Sequence, residues 1–380
     1  MNSNLANQLL ASIMNWDPKS LAAERAALEF MGRMKYDAYD RYMPGMRFMS
    51  SLVQWLNDID EEDRNIAFKF VKEQLVFISS TQMNYLVDLL YDSKIRSILL
   101  NTATKELGMA SYMHSNNKVR KQFEIEKRCS LVVGLSDGAH IDILRRSAHF
   151  NNEQVLTNYY PDSKKLKDML DALHHDGSLP NASDLFFKRI FLIDDFTASG
   201  KSFIRYDNND KRFHGKLKKI IDELCAESDT NTEQEKQHLN YLFNPKTKEI
   251  NIDILFCIAT ERAKCHIEEN LQMYLDSIKS KKKIKCVVHV HIVQLLENRL
   301  SDKIKEDTEL MRMLEKPNYF IKESIMTKSY AVGKSEYPWL GFDECALPVV
   351  LSHNTPNNSL PIIWQEAEMF HGLFPRISRH

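Results

Sequence analysis

Hydrophobic positions along the chain change their spacing near Lys127. From about residue 18 to 115 they recur three and four apart, as in Leu52, Trp55 and Leu56, then Phe68, Phe70, Val71, Leu75 and Phe77. That spacing predicts four or five amphipathic helices and almost no strand. Asp60 to Asp63 forms an acidic break between two of them, and Ser79-Ser80-Thr81 offers capping hydroxyls to the next. Tyr36, Tyr39, Tyr42, Met43, Met46 and Met49 read chiefly as a packed core, a partner surface being the other use of the same side chains.

Beyond Lys127 short apolar runs alternate with amphipathic stretches. Residues 131–133, 155–160, 190–193, 252–258 and 284–293 predict strands, and 139–148, 164–174 and 263–279 predict helices. A turn and helical sequence to about Cys225 follow the third strand. Strands alternating with helices indicate an α/β fold, a parallel sheet covered on both faces. Such sheets bind ligands beyond the carboxyl ends of their strands, so chemistry is expected in the loops found there. The polar segments 206–212 and 227–236 read as surface insertions.

Composition narrows the classes. The 380 residues are 43% apolar, enough for a substantial core, and 51 basic side chains nearly balance 52 acidic ones. That balance gives no global attraction to nucleic acid or membrane. No apolar run approaches the ~18 residues of a membrane span, and the N-terminus lacks a basic region leading into an apolar stretch. The six cysteines are scattered without a CxxC pair, which argues against a disulfide frame or a structural zinc site. The expectation is a soluble, cytoplasmic protein without a membrane partner.

The sharpest signal is the stretch from Arg189 to Ser202, RIFLIDDFTASGKS. An apolar strand ends in two adjacent carboxylates, Asp194 and Asp195, and a loop of small residues with one glycine then opens a helix. Small residues let backbone N–H groups approach a phosphate, and a helix N-terminus adds a favourable dipole. Thr197, Ser199 and Ser202 add hydroxyls, while paired acids suit sugar hydroxyls or hydrated Mg²⁺. A Walker A loop would need glycine where Asp195 stands. An ordinary strand-to-helix turn with capping Ser and Thr is the bland alternative, but two acids at the tip of a buried strand are costly unless solvent or a ligand meets them.

This stretch resembles the signature of type I phosphoribosyltransferases: apolar strand, two acids, two variable residues, small residues, Gly, any residue, Ser or Thr. The resemblance implies a phosphoribosyltransferase-like core in which Asp194 and Asp195 hold ribose hydroxyls and Mg²⁺ and act as the catalytic acids. It places Thr197, Ala198, Ser199, Gly200, Lys201 and Ser202 around a 5′-phosphate. It makes Ser136, Asp137 and Gly138, after the first strand, the pyrophosphate loop. The cations Lys164, Lys165, Lys167, His174 and His175 fall where such enzymes carry a mobile loop. The aromatic tail with Tyr330, Tyr337, Trp339, Phe342 and Trp364 falls where a hood covers the base, with His353, Asn354 and Asn357 as hood candidates, a tight turn stabilised by Asn and Pro being the plainer account of that segment. Two departures matter: Ala198 replaces an acid usual in purine salvage, and Asp137 replaces a common basic residue. With the helical N-terminal region, the layout resembles phosphoribosyltransferase-like effectors of bacterial conflict systems, including retron-type antiphage systems. The implied organisation is a helical N-terminal region over 1–120, the α/β core over 121–300, and a C-terminal helix with a hood-like segment over 301–380. The implied ligands are a nucleotide or phosphoribosyl pyrophosphate, transformed at the ribose anomeric carbon or merely sensed, and a defence-system protein or nucleoprotein is the implied partner.

Weaker features remain. His289 and His291 share one face of a predicted strand, and read more readily as strand histidines than as metal ligands. Thr260-Glu261-Arg262 either meets a phosphate or opens the next helix. The basic run 279–285 either touches nucleic acid or is a solvated loop. Cys265 and His266 diverge as helix neighbours, so no cysteine–histidine nucleophile is expected.

Overall fold

The computed structural model describes residues 3–42, 45–159, 161–226, 238–246, 248–280, 284–320 and 335–377. Its backbone contacts group the chain into two units, Met1–Met83 with Glu297–His380, and Asn84–Leu296. Tyr160, Met43, Tyr330, the segment 227–236 and Lys281 to Lys283 of the basic run lie outside the described residues.

The first unit begins with helices α1 (Ser3–Ile13), α2 (Pro18–Met34), α3 (Phe48–Asn57) and α4 (Arg64–Glu73), then strand β1 (Val76–Ile78). The side chain of Asp17 caps α2 by accepting from the Ser20 N–H, and Pro18 occupies the first turn, where no N–H is needed. Asp60 to Asp63 does separate α3 from α4. Phe77 departs from the expected helix. Its run Val-Phe-Ile is a strand because Val76, Phe77 and Ile78 pair in parallel with Val349, Val350 and Leu351. A short β-branched and aromatic run suits either state, and here a partner near the other end of the chain decides it.

Tyr36 and Tyr39 are core, and Tyr42 packs against them. The rings of Tyr36, Tyr39, Phe48 and Phe77 lie 5.3–6.0 Å from that of Phe374. The Tyr39 hydroxyl lies 2.9 Å from Thr355 Oγ1, and the Trp55 indole donates to the Ile362 carbonyl at 2.8 Å. Phe342 and Trp364 of the aromatic tail are buried in the same cluster. The observed grouping therefore differs from the three segments 1–120, 121–300 and 301–380. Residues 297–380 complete a core with the N-terminal helices, because neither set alone covers its apolar faces, while 84–120 belong with the α/β unit.

α5 (Ser80–Leu89) carries the chain across that boundary. Its start is a capping box in which Ser79 Oγ accepts from the Gln82 N–H and Gln82 Oε1 accepts from the Ser79 N–H. The second unit continues with α6 (Arg96–Glu106), α7 (Asn117–Arg128), β2 (Ser130–Gly134), α8 (Ile141–Ser147), β3 (Val155–Leu156) and α9 (Ser163–His174). Then come β4 (Arg189–Thr197), the short strands β5 (Arg205–Asp207) and β6 (Arg212–His214), α10 (Lys216–Leu224), β7 (Glu249–Thr260), α11 (Glu261–Ile278) and β8 (Lys285–Leu296). The fold class is the expected one, a five-stranded parallel sheet in the order β3-β2-β4-β7-β8 within a mixed α/β protein. Strand β3 is shorter than the expected 155–160, since only Val155 and Leu156 belong to the strand, beside Val132 and Val133 of β2.

Burial follows position in the sheet. Every residue of β2 is buried, and Ile190, Phe191, Leu192 and Ile193 of β4 are fully so. Burying each such side chain stabilises the fold by about 1.5–3 kcal/mol. Edge strand β8 is mostly half-buried, which lets it carry His289 and His291. His291 Nε2 lies 2.8 Å from Asp253 Oδ1, and Arg189 bonds the other oxygen of the same carboxylate. Arg189 also donates to Thr102 of α6 at 3.2 Å, which ties the 84–120 segment to the sheet. His291 is thus engaged in a buried ion cluster, while His289 is exposed. Among the described residues no helix is long and apolar enough to cross a membrane.

Burial raises the Asp253 carboxyl, but the His291 hydrogen bond and the Arg189 charge outweigh it and hold the group below its usual range. Asp253→Ala would strand the Arg189 charge, whose side chain is only 12% exposed. The expected loss is roughly 3–5 kcal/mol, read as a lower urea midpoint. A loss below about 1 kcal/mol would show that the cluster is not a structural centre.

Candidate functional site

The order β3-β2-β4-β7-β8 puts the first and third core strands side by side, with connections leaving them in opposite directions. Such a reversal opens a crevice beyond the carboxyl ends of the two strands. Here those strands are β2 and β4. One delivers Ser136, Asp137 and Gly138, the other Asp194 and Asp195 followed by Thr197 to Ser202.

These parts meet. The Ser136 hydroxyl donates a short hydrogen bond to Asp194 Oδ1 and lies 3.5 Å from Asp195 Oδ1. Asp137 opens a single 3-10 turn over Asp137–Ala139 and is itself exposed. The acids stand inside the end of β4 rather than in a loop after it, since the ladder pairs Asp194 with Phe256 and Thr197 with Ala259. Both are buried, at 2% and 7% exposure. Burial, and next the neighbouring Asp195 charge, push the Asp194 carboxyl up to about 7 against the pull of Lys216 and Ser136. The nearby Cys257 thiol is raised too, by burial first and then by the two acids, so it is inert as a nucleophile.

The expected helix directly after the small-residue loop is not there. Gly200 to Ile204 make one turn, with the Phe203 and Ile204 N–H groups donating to the Gly200 carbonyl. The β5–β6 hairpin then intervenes, closed by Asp207 and Asp210 side chains that accept from the Asn209 and Arg212 N–H groups, before α10 begins at Lys216. Asp and Asn favour such local bonds over helix, which is why the polar stretch turns back on itself. The start of α10 nevertheless lies against the turn, for Lys216 N–H donates to Ser202 O at 3.2 Å and Leu217 N–H to Phe203 O at 2.9 Å. Gly215 makes this approach possible. Its φ is +124°, and a Cβ there would lie 2.3 Å from the Phe203 carbonyl oxygen.

The turn is held from the other side by α11. Thr260 Oγ1 donates to Ala198 O at 2.6 Å and accepts from the Ala263 N–H at 3.0 Å, capping the helix. The residues Thr260-Glu261-Arg262 thus end β7 and open α11. His266 Nε2 contacts Ile204 O at 2.9 Å. Ser199 and Gly200 are buried, Lys201 is half-buried, and Ser202 is exposed. Gly200 has φ +72°, and a Cβ there would lie 2.9 Å from Ile267 Cγ1 and 3.0 Å from Ala263 O.

Lys216 is the site residue the sequence reading missed. Its ammonium lies 3.4 Å from Asp194 Oδ2 and 4.9 Å over the Phe203 ring. No spacing rule links it to the acids, since a hairpin separates them; the Gly-Lys step before an amphipathic helix was the available signal. Lys164, Lys165, Lys167 and His174 lie on α9 rather than in a loop, and His175 follows it. Lys165 pairs there with Glu153, and His174 Nε2 lies 2.9 Å from Leu185 O. The hood candidates belong to the first unit. There Asn354 exchanges hydrogen bonds with Ile377, the Asn357 carbonyl accepts from the Phe342 N–H, and His353 sits between the Ser352 and Asn354 turn positions.

The raised Asp194 carboxyl makes stability depend on pH. Against an ordinary value of 3.8 and a folded value of about 7, the folded state binds the proton more tightly between about pH 4 and 7. Stability is therefore favoured at the acid end of that window and falls as pH rises through it. Asp194→Asn should unfold at a higher temperature than wild type at about pH 8, the gap shrinking toward about pH 5. Parallel pH profiles for the two proteins would contradict this. Gly200→Ala should cost about 1–3 kcal/mol from its left-handed backbone alone, and chemical denaturation measures it.

No curated protein and no solved structure matches the chain. A family model described as PRTase-CE matches residues 52–376, which includes the whole of the acid-pair site. The chain belongs to the PRTase-CE family and is a phosphoribosyltransferase-like protein.

Proposed function

We propose that this chain is an enzyme that binds a 5-phosphoribosyl donor or a nucleotide and makes or breaks a bond at the ribose anomeric carbon. The observation that carries the reading is the meeting of three parts at one crevice: the buried acid pair, the Ser136 turn and the small-residue turn after β4. Asp194 and Asp195 bind the ribose hydroxyls. Thr197, Ala198, Ser199, Gly200, Lys201 and Ser202 surround the 5′-phosphate, and Ser136, Asp137 and Gly138 border the leaving group. The barrier falls chiefly through orientation and through charge stabilisation as an oxocarbenium-like centre develops.

Mg²⁺ fits this donor set, because two carboxylates and a hydroxyl are hard oxygen ligands, and Asp194 and Asp195 would hold it. When bound it offsets negative charge on the leaving group, which the exposed Asp137 carboxylate otherwise increases. His353, Asn354 and Asn357 are proposed for the base hood on the sequence resemblance alone, and the reading does not depend on them. The proposed setting is bacterial antiphage defence beside a protein or nucleoprotein partner, supported by the resemblance to conflict-system effectors.

One alternative has an observation behind it. Ala198 stands where salvage enzymes of the resembled family carry an acid, and its carbonyl is committed to Thr260. A non-catalytic nucleotide-sensing or partner-binding module would need no acid there.

The test is incubation of wild type and Asp194→Asn with Mg²⁺ and a panel of nucleotides, NAD and phosphoribosyl pyrophosphate, with products read by mass spectrometry. The enzyme reading expects a product from wild type and about 10²-fold or greater loss in the variant. Ligand bound by wild type yet returned unchanged would establish the sensor instead.

A further inference from the structure

Both oxygens of Asp194 are engaged within the chain. Oδ1 accepts from the Ser136 hydroxyl and from the Asp195 N–H at 3.0 Å, and Oδ2 faces the Lys216 ammonium at 3.4 Å. A cation binding at Oδ2 has to share that oxygen with the ammonium. The contact is long for a charge-assisted hydrogen bond, whose usual length is about 2.7–2.9 Å, so it is a pairing that can be exchanged. The Lys216 side chain is 24% exposed, against 3% for Asp194, and so has room to swing away.

The place it would swing to is set by the backbone. Lys216 is the first residue of α10, and its N–H is bonded to Ser202 of the small-residue turn. Gly215 permits no side chain at that approach, so the root of Lys216 stays beside the turn wherever its ammonium points. One flexible cation is thereby rooted at the phosphate turn and resting on the acid pair. A phosphorylated ligand would bring negative charge to the first and its metal to the second. An ammonium is a compact charge on a flexible stem, suited to such an exchange.

We propose that Lys216 is the resident counter-ion of the acid pair and competes with divalent metal there, so that metal enters together with the phosphorylated ligand rather than before it. The proposal rests on the reading of Asp194 and Asp195 as the ribose and metal site, and it adds an order of binding to that reading. Lys216 is a positioning residue for the charges around the ligand.

The experiment titrates Mn²⁺, a spectroscopically visible stand-in for Mg²⁺, into the full chain with and without phosphoribosyl pyrophosphate. Wild type, Lys216→Gln, Lys216→Met, Lys216→Arg and Lys216→Gln combined with Asp194→Asn are compared, each first checked by thermal unfolding. Ligand-free Lys216→Gln and Lys216→Met should bind Mn²⁺ about tenfold or more tightly than wild type, the scale on which one neighbouring charge shifts a carboxylate's preference for a cation. Lys216→Arg, which keeps the charge, should stay near wild type. With phosphoribosyl pyrophosphate present the gap should close. Ligand-free affinities equal to or weaker than wild type in both neutral variants would overturn the proposal. Tight Mn²⁺ binding by ligand-free wild type would overturn it too, without reference to any variant. If adding Asp194→Asn leaves the Mn²⁺ affinity of Lys216→Gln unchanged, the metal does not sit on the acid pair, and the underlying site reading fails as well.

Discussion

Two carboxylates stand side by side at the buried end of a central strand, and the surroundings of that strand answer to them. Asp194 and Asp195 are nearly inaccessible, so neither can be solvated in the ordinary way. Desolvation and mutual repulsion would drive one of them neutral, and the raised Asp194 carboxyl is the direct expression of that conflict. Its relief comes from three directions. Ser136 reaches in from the turn after β2, the Asp195 backbone N–H turns back onto Asp194, and Lys216 arrives from the start of α10. A strand order that did not set β2 beside β4 would separate the first of these from the acids.

Close approach of backbone to backbone is the second demand, and two glycines meet it. Gly200 lets the small-residue turn lie against α11, and Gly215 lets α10 begin against the same turn. Between them the turn is clamped on two sides, with Thr260 closing a third through the Ala198 carbonyl. Polar clusters elsewhere are consumed structurally. His291 and Arg189 share the Asp253 carboxylate, which accounts for the strand histidine as part of a buried ion cluster.

The first unit shows how remote segments can share one core. The helices of the N-terminal region are amphipathic, as their spacing predicts, but the faces they bury are completed by residues from the far end of the chain. Phe374 sits among Tyr36, Tyr39, Phe48 and Phe77, and Val349 to Leu351 extend β1 into a pair of strands. The aromatic tail was legible in the sequence as a group of large apolar side chains. Its commitment to this core was not, because aromatic composition is the same for a core and for a ligand cover.

What the sequence by itself determined is local. The alternation of apolar runs and amphipathic stretches after Lys127 was sufficient for a parallel α/β sheet, because each strand's burial is written in its own side chains. The stretch from Arg189 to Ser202 marked the acid pair and the small-residue turn, because a strand tip carrying two acids is costly without a purpose. Tertiary structure alone decided the rest. It set β2 beside β4, which brought Ser136 to Asp194. It made a strand of Val76 to Ile78, and it delivered Lys216 to the acids from beyond the hairpin that follows the small-residue turn. The reason is common to all three. Each depends on which segments come to lie side by side, and neighbours in space leave no periodicity in the chain that reports them.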